Sequence, residues 1–163
     1  MSTIVVYGSS TGTCEAIAGK LGEKLGAEVV NVADIDAGTL EGADSILLGT
    51  STWGAGELQD DWYDGVETVK GAALAGKTVA VFGCGDSDSY ADTFCAAMKD
   101  LYDAAAEAGA TLVGEVSTDG YTFDDSAAVV DGKFVGLALD DVNESDKTDE
   151  RIDAWIEQIK GNL

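Results

Sequence analysis

Three short apolar runs constrain this chain most, because each ends in a loop of small residues that gives way to a segment with helical spacing. Residues 4–7, 45–50 and 77–83 carry no polar alternation, the pattern of parallel strands buried on both faces. Behind the first, Ile17, Leu21 and Leu25 recur at helical spacing; behind the second, Leu58, Trp62, Val66 and Val69 do so until Gly71. Behind the third, residues 91–108 place Phe94, Met98, Leu101 and Ala105 on one face and stop at Gly109. Residues 28–32 and 110–117 read as further strands. Residues 148–160 read as a closing helix with Ile152, Trp155, Ile156 and Ile159 on its apolar face.

Alternating strands and helices of these lengths predict one α/β domain over residues 1–163, a doubly wound five-stranded parallel sheet with helices on both faces. Residues 33–44 read as an acidic connection. The stretch 118–139 is too long for a plain connection before the last helix. Its Tyr121, Phe123, Val129, Val130 and the run 134–139 predict an inserted β excursion that interrupts the fifth strand, which resumes near Val135.

Composition removes much of enzymology. The chain has no histidine, and Arg151 is its single arginine, so imidazole bases, most zinc sites and bidentate arginine clamps are excluded. The 3 cysteines are an odd number without Cys-x-x-Cys spacing and read as reduced thiols of a cytoplasmic protein. No segment resembles a signal peptide or a membrane span. With 31 acidic against 9 basic residues the net charge is −22, which repels nucleic acid and anionic membranes and attracts basic proteins. Solubility, or adaptation to a saline cytoplasm, is the alternative account of the same charge.

In a doubly wound sheet every strand-to-helix loop lies at the carboxyl edge, where ligands bind. The first loop, Gly8 to Cys14, aims backbone N–H groups and a helix dipole at one spot, a site for an anion such as phosphate. Hydroxyls from Ser9, Ser10, Thr11 and Thr13 add donors, and no lysine is present, so neither an NTP-binding loop nor a dinucleotide fingerprint is matched. An ordinary turn with a hydroxyl N-cap gives the same pattern. The second loop carries Trp53 and the third Tyr90, two rings that could sandwich a flat heterocycle or stand exposed for a partner.

These residues strongly resemble the flavodoxins, electron-transfer proteins that bind flavin mononucleotide (FMN). The family's phosphate motif, Thr/Ser-x-Thr-Gly-x-Thr, stands here as Ser9-Ser10-Thr11-Gly12-Thr13-Cys14 with the last hydroxyl replaced by a thiol. A thiol donates poorly, weakening one contact by about 1–2 kcal/mol if the loop does not adjust; the favoured reading of Cys14 is simply a small residue tolerated in a first helical turn. Residues 52–62 and 85–95 match the two flavin-enclosing loops. Residues 118–139 resemble the insertion of the long-chain branch, as do Asp140-Asp141 and the helix start at 148–152.

The resemblance implies strand order 2-1-3-4-5 and non-covalently bound FMN. It implies cofactor contacts from Ser9, Ser10, Thr11, Gly12, Thr13 and Cys14, from Thr50, Ser51, Thr52, Trp53, Gly54, Ala55 and Gly56, and from Cys84, Gly85, Asp86, Tyr90, Asp92, Thr93 and Cys95. No catalytic residue and no metal are implied. The implied activity is that of a monomeric, low-potential one-electron carrier, cycling FMN between semiquinone and hydroquinone. Its implied partners have basic docking faces: a reductase, and an acceptor such as nitrogenase or a 2-oxoacid oxidoreductase. The carbonyl of the Gly54–Ala55 peptide is the implied acceptor for a proton at flavin N5. Carboxylates such as Glu57, Asp60, Asp86 and Asp92, each about 10 Å from the ring, together disfavour its negative form by roughly 1–3 kcal/mol.

Two rival readings follow from the same architecture. A phosphorylatable receiver domain needs acidic residues after the first strand and an aspartate after the third, where this chain has Gly8-Ser9-Ser10 and Thr50-Ser51-Thr52. An FMN-dependent quinone or nitro reductase needs a positive group for a nicotinamide, and none lies near these loops.

Overall fold

A computed structural model describes residues 3–8, 12–53, 57–58, 61–85, 93–118, 121, 123, 125–140 and 143–163, with backbone alone for Thr52, Trp53, Glu57 and Leu58. In chain order the elements are β1 (Thr3–Gly8), α1 (Thr13–Leu25), β2 (Glu28–Asn31), a 3-10 turn (Val32–Asp34), α2 (Ala37–Glu41), β3 (Ser45–Trp53), β4 (Glu57–Leu58) and α3 (Trp62–Gly71). Then come β5 (Thr78–Cys84), α4 (Met98–Glu107), β6 (Thr111–Val113), β7 (Val116–Ser117), β8 (Val129–Val130), β9 (Lys133–Phe134), β10 (Leu137–Leu139), α5 (Ser145–Ile159) and a 3-10 turn (Lys160–Asn162).

The main sheet runs β2-β1-β3-β5, all parallel, and its fifth position is shared by two short strands. β6 pairs with Thr78–Ala80 at the start of β5, and β10 with Phe82–Cys84 at its end. This is the expected order 2-1-3-4-5 with an interrupted last strand. Between its halves the insertion forms a separate antiparallel sheet, β7-β9-β8.

Side chains of the central strands alternate between two apolar layers, which is why those runs show no polar alternation. Ile4, Val6, Ile46, Leu48, Val79 and Val81 face Trp62, Val66 and Val69 of α3 and Met98 and Leu101 of α4. Val5, Leu47, Ala80 and Phe82 face Ile17 and Leu21 of α1 and Ile152 and Trp155 of α5. Each tryptophan of these helices also anchors to backbone: Trp62 Nε1 donates to Gly49 O at 2.7 Å and Trp155 Nε1 to Gly114 O at 2.8 Å.

Several boundaries depart from the sequence reading, each for a local reason. The fifth strand stops at Val113 instead of Ser117, because the next carbonyl, on Gly114, is held by Trp155. It resumes at Leu137, two residues later than expected, after Val135 N has bonded to Ala128 O inside the insertion. Residues 33–44 contain α2, started by Asp36: its carboxylate accepts from Thr39 N at 2.8 Å in a capping box. The helix expected over 91–108 is α-helical from Met98, with turns over 93–97, while 91 and 92 lie outside the described residues. The last helix begins at Ser145, three residues early, where Asp140 O accepts from Glu144 N at 2.9 Å and the Asp140 carboxylate accepts from Asn143 N at 2.9 Å.

The rejoining of the split strand depends on Gly136. A Cβ there would run into the carbonyl oxygen of Val81, a backbone atom of the central sheet that cannot move cheaply. Gly136→Ala is therefore expected to lower unfolding free energy by at least about 2 kcal/mol. Urea denaturation of the apo-protein checks this, and a midpoint equal to that of the parent would show that the edge strand can shift.

Candidate functional site at the carboxyl edge of the sheet

Strand register decides where the three loops leave. Gly8 at the end of β1 is paired with Thr50 of β3, and Thr50 with Gly83 of β5. With parallel neighbours about 4.8 Å apart, these exits span about 10 Å, close to the long dimension of a three-ring heterocycle. The three loops named from sequence thus start side by side on one edge.

The first loop enters α1 through Gly12, whose φ of 91° and ψ of −9° are left-handed. A Cβ at Gly12 would meet nothing within 4 Å, so the position borders open space and glycine is there for its backbone. Gly12 O accepts from Ala16 N at 3.0 Å, which closes the first helical turn. The N–H groups of Thr13, Cys14 and Glu15 precede any intrahelical acceptor and face the loop at the positive end of the helix dipole. Thr13 is half-buried. The Cys14 side chain is fully buried in the apolar layer with Val5, Ile17 and Ala18, so its thiol faces the core. Ser9, Ser10 and Thr11 lie outside the described residues.

The second loop is built by β3 continuing past the sheet. Thr50 is fully buried and its Oγ1 donates to Ser51 O at 2.9 Å, while Ser51 is half-buried. Thr52 and Trp53 then pair antiparallel with Leu58 and Glu57 of β4. Leu58, whose spacing from Trp62 reads as helical, is thus in a strand instead, and α3 begins at Trp62. Gly54, Ala55 and Gly56, and the side chain of Trp53, lie outside the described residues.

The third loop is held at both ends. On entry, Cys84 is buried and the Gly85 N–H donates to Leu139 O at 2.9 Å. On exit, Thr93 is half-buried, Phe94 and Cys95 are fully buried, and Cys95 Sγ donates to the same Leu139 O at 3.7 Å. Burial, with Cys84 beside it, pushes the Cys95 thiol well above its ordinary pKa, so it is a neutral donor. Asp86, Tyr90 and Asp92 lie outside the described residues. Sequence reading missed Leu139 and Phe94 as supports of this loop, because their partners are 44 and 32 residues away and no local pattern announces them.

Among the described residues no group of His, Cys, Asp and Glu could hold a metal ion. A cleft of about 210 Å³ lies elsewhere, between the insertion and α5, lined by Val116, Tyr121, Leu137, Arg151 and Trp155. No described helix is long and apolar enough to cross a membrane.

A glycine turn into a helix start and two further loop exits on one edge of a 2-1-3-4-5 sheet are the layout of the flavodoxin-like class of α/β proteins. The Flavodoxin family model matches residues 5–155. Flavodoxin 1 of Azotobacter vinelandii is 45% identical over 159 residues, covering 93% of this chain and 91% of that one. The flavodoxin of Helicobacter pylori is 43% identical over 160 residues, covering 98% and 96%. The crystal structure of Fusobacterium nucleatum flavodoxin bound to flavin mononucleotide superposes with a TM-score of 0.94 at 30% identity, covering 100% of this chain and 99% of that one. The chain belongs to the flavodoxin family.

Gly12→Val forces a β-branched residue into left-handed backbone, and the expected cost is roughly 1–3 kcal/mol of apo-protein stability. Thermal and urea unfolding both read this. Unchanged stability would mean that the turn relaxes to negative φ without loss.

Proposed function

We propose that this protein holds one FMN at the carboxyl edge of its sheet and carries single electrons between soluble redox proteins. The observation that carries the reading is the register of Gly8, Thr50 and Gly83, which sets side by side the exits of the loops read as phosphate-binding and ring-binding. The described residues suit the group: an open, side-chain-free turn at Gly12 before a helix N-terminus fits a phosphate monoester with no lysine. When bound, FMN supplies the one-electron chemistry. Family membership favours a carrier over a reductase.

In this reading the backbone N–H groups of Thr13 and Cys14, with the hydroxyls of Ser9, Ser10, Thr11 and Thr13, bind the phosphate. Trp53 and Tyr90 cover the two faces of the ring and exclude water. The carbonyl of the Gly54–Ala55 peptide would accept a hydrogen bond at flavin N5. Thr50, Ser51, Thr52, Gly56, Cys84, Gly85, Asp86, Asp92, Thr93 and Cys95 complete the walls. Carboxylates around the edge oppose negative charge on the ring, which makes the second electron the low-potential one.

The proposed partners are a reductase and a low-potential acceptor with basic faces. Asp61 and Asp64 stand exposed at the start of α3, just beyond the second loop, and Glu67, one turn further on, lies 3.9 Å from Lys70. Meanwhile Lys20, Lys24, Lys99, Lys147, Arg151 and Lys160 each lie within 3.2 Å of a carboxylate of this chain. Lys70 offsets part of the anionic field at the edge, and the remainder steers basic partners toward it. The proposed location is the cytoplasm, and the proposed state a monomer.

An anaerobic reductive titration tests the cofactor reading. Purified protein, or apo-protein given FMN, should be yellow and pass through two resolved one-electron steps with a colour change at half reduction. Failure to take up FMN would refute it, and steady NAD(P)H oxidation by the isolated protein would favour a reductase. Electron transfer from a basic-faced reductase should slow severalfold between about 0.05 and 0.5 M salt, and Asp64→Lys should slow it at low salt. Stopped-flow rates independent of salt would remove the docking assignment.

A further inference from the structure

The insertion reaches both ends of the third loop, and this link depends on residues that no motif marks. On the exit side, Phe94 is fully buried in an aromatic cluster supplied by the insertion. Its ring lies 5.7 Å from Phe123, 5.9 Å from Phe134 and 6.1 Å from Tyr121. Ser126, itself 4% exposed, donates from Oγ to Phe94 O at 2.5 Å and accepts from Ala128 N at 3.1 Å. This hydroxyl satisfies a buried carbonyl at the place where the chain leaves the loop and approaches α4.

On the entry side the link runs through β10. Tyr121 Oη donates to Ala138 O at 2.7 Å, and the adjacent Leu139 O receives both Gly85 N and Cys95 Sγ. The Tyr121 ring is fixed in turn by the Arg151 guanidinium, 3.8 Å from its centroid, and Arg151 is paired with Glu144 of the α5 start at 3.2 Å. Burial raises the Tyr121 pKa to about 12, which keeps its hydroxyl a donor across the range in which the protein works. The single arginine of the chain is thus used to hold the insertion against the loop support.

We propose that Ser126 and Tyr121 are positioning residues for the cofactor: they act through Phe94 and through β10 to set the two ends of the third loop, Gly85 and Cys95. The inference rests on the reading of that loop as a wall of an FMN site. It gives the insertion a defined task, setting the two ends of a ring-facing loop. Neither residue contacts the cofactor in this scheme.

The test uses the full-length protein with FMN as probe. Ser126→Ala should raise the FMN Kd roughly three- to tenfold, the range of one buried hydrogen bond, and should change the separation of the two one-electron potentials. Ser126→Thr, which keeps the hydroxyl, should return both toward the parent. Tyr121→Phe loses only the bond to Ala138 and should move both readouts in the same sense as Ser126→Ala. It also serves if Ser126→Ala does not fold. Val130→Thr, on the exposed strand of the same small sheet, should leave both unchanged. If Ser126→Ala and Tyr121→Phe keep the Kd within twofold and the potentials of the parent, the proposal is overturned while the cofactor reading stands. A parent protein that binds no FMN would overturn both.

Discussion

The sheet is sealed on both faces, and everything functional in this protein follows from that. Helices α3 and α4 cover one face and α1 and α5 the other, so β1, β3 and β5 have no water on either side. Their backbone groups are satisfied by parallel ladders, which hold them in fixed register. Polar groups that must face a ligand can then appear only where the ladders end. At the carboxyl edge that place coincides with the start of α1, whose first-turn N–H groups have no acceptor of their own.

The fifth strand is the one place where this seal is open to variation. By giving up pairing in its middle, the chain gains room to build β7, β8 and β9 outside the sheet and to return in register as β10. Gly136 makes that return possible by letting the backbone pass against Val81. The return brings Leu139 level with Cys84, where its carbonyl can support the third loop. The insertion is therefore not an appendage but a brace between α5 and the carboxyl edge.

Electrostatics divides the molecule in a similar way. Lys20 and Lys24 of α1 reach Asp149 and Asp153 of α5 at 2.8 and 2.6 Å, pairs that are exposed and contribute little to stability. Their effect is on the field: cations engaged on the α1–α5 flank do not offset the carboxylates near the loops. The half-buried Arg151–Glu144 pair works differently. Burial opposes the ionised carboxylate, yet Lys147 and Arg151 hold the Glu144 pKa below its ordinary value.

Much of this architecture was legible in the sequence, because period and burial are local signals. The unbroken apolar runs of β1, β3 and β5, and the helical spacing of Ile17 with Leu21 or Val66 with Val69, follow from two-faced burial and amphipathic packing. The β3–β4 pairing and the capping box at Asp36 were not read from sequence, although the Asp36–Thr39 spacing is a local signal for the second. Nor were strand limits, since Trp155 ends the fifth strand from 41 residues away. By itself the sequence determined the class of fold, the three loops and the chemistry they offer, because each is a property of neighbouring residues. Only the tertiary structure decided that the Cys14 thiol faces the core, that Leu139 supports Gly85 and Cys95, and that Ser126 closes on Phe94. Those are contacts between distant segments, set by packing after the sheet has formed, and no local pattern encodes them.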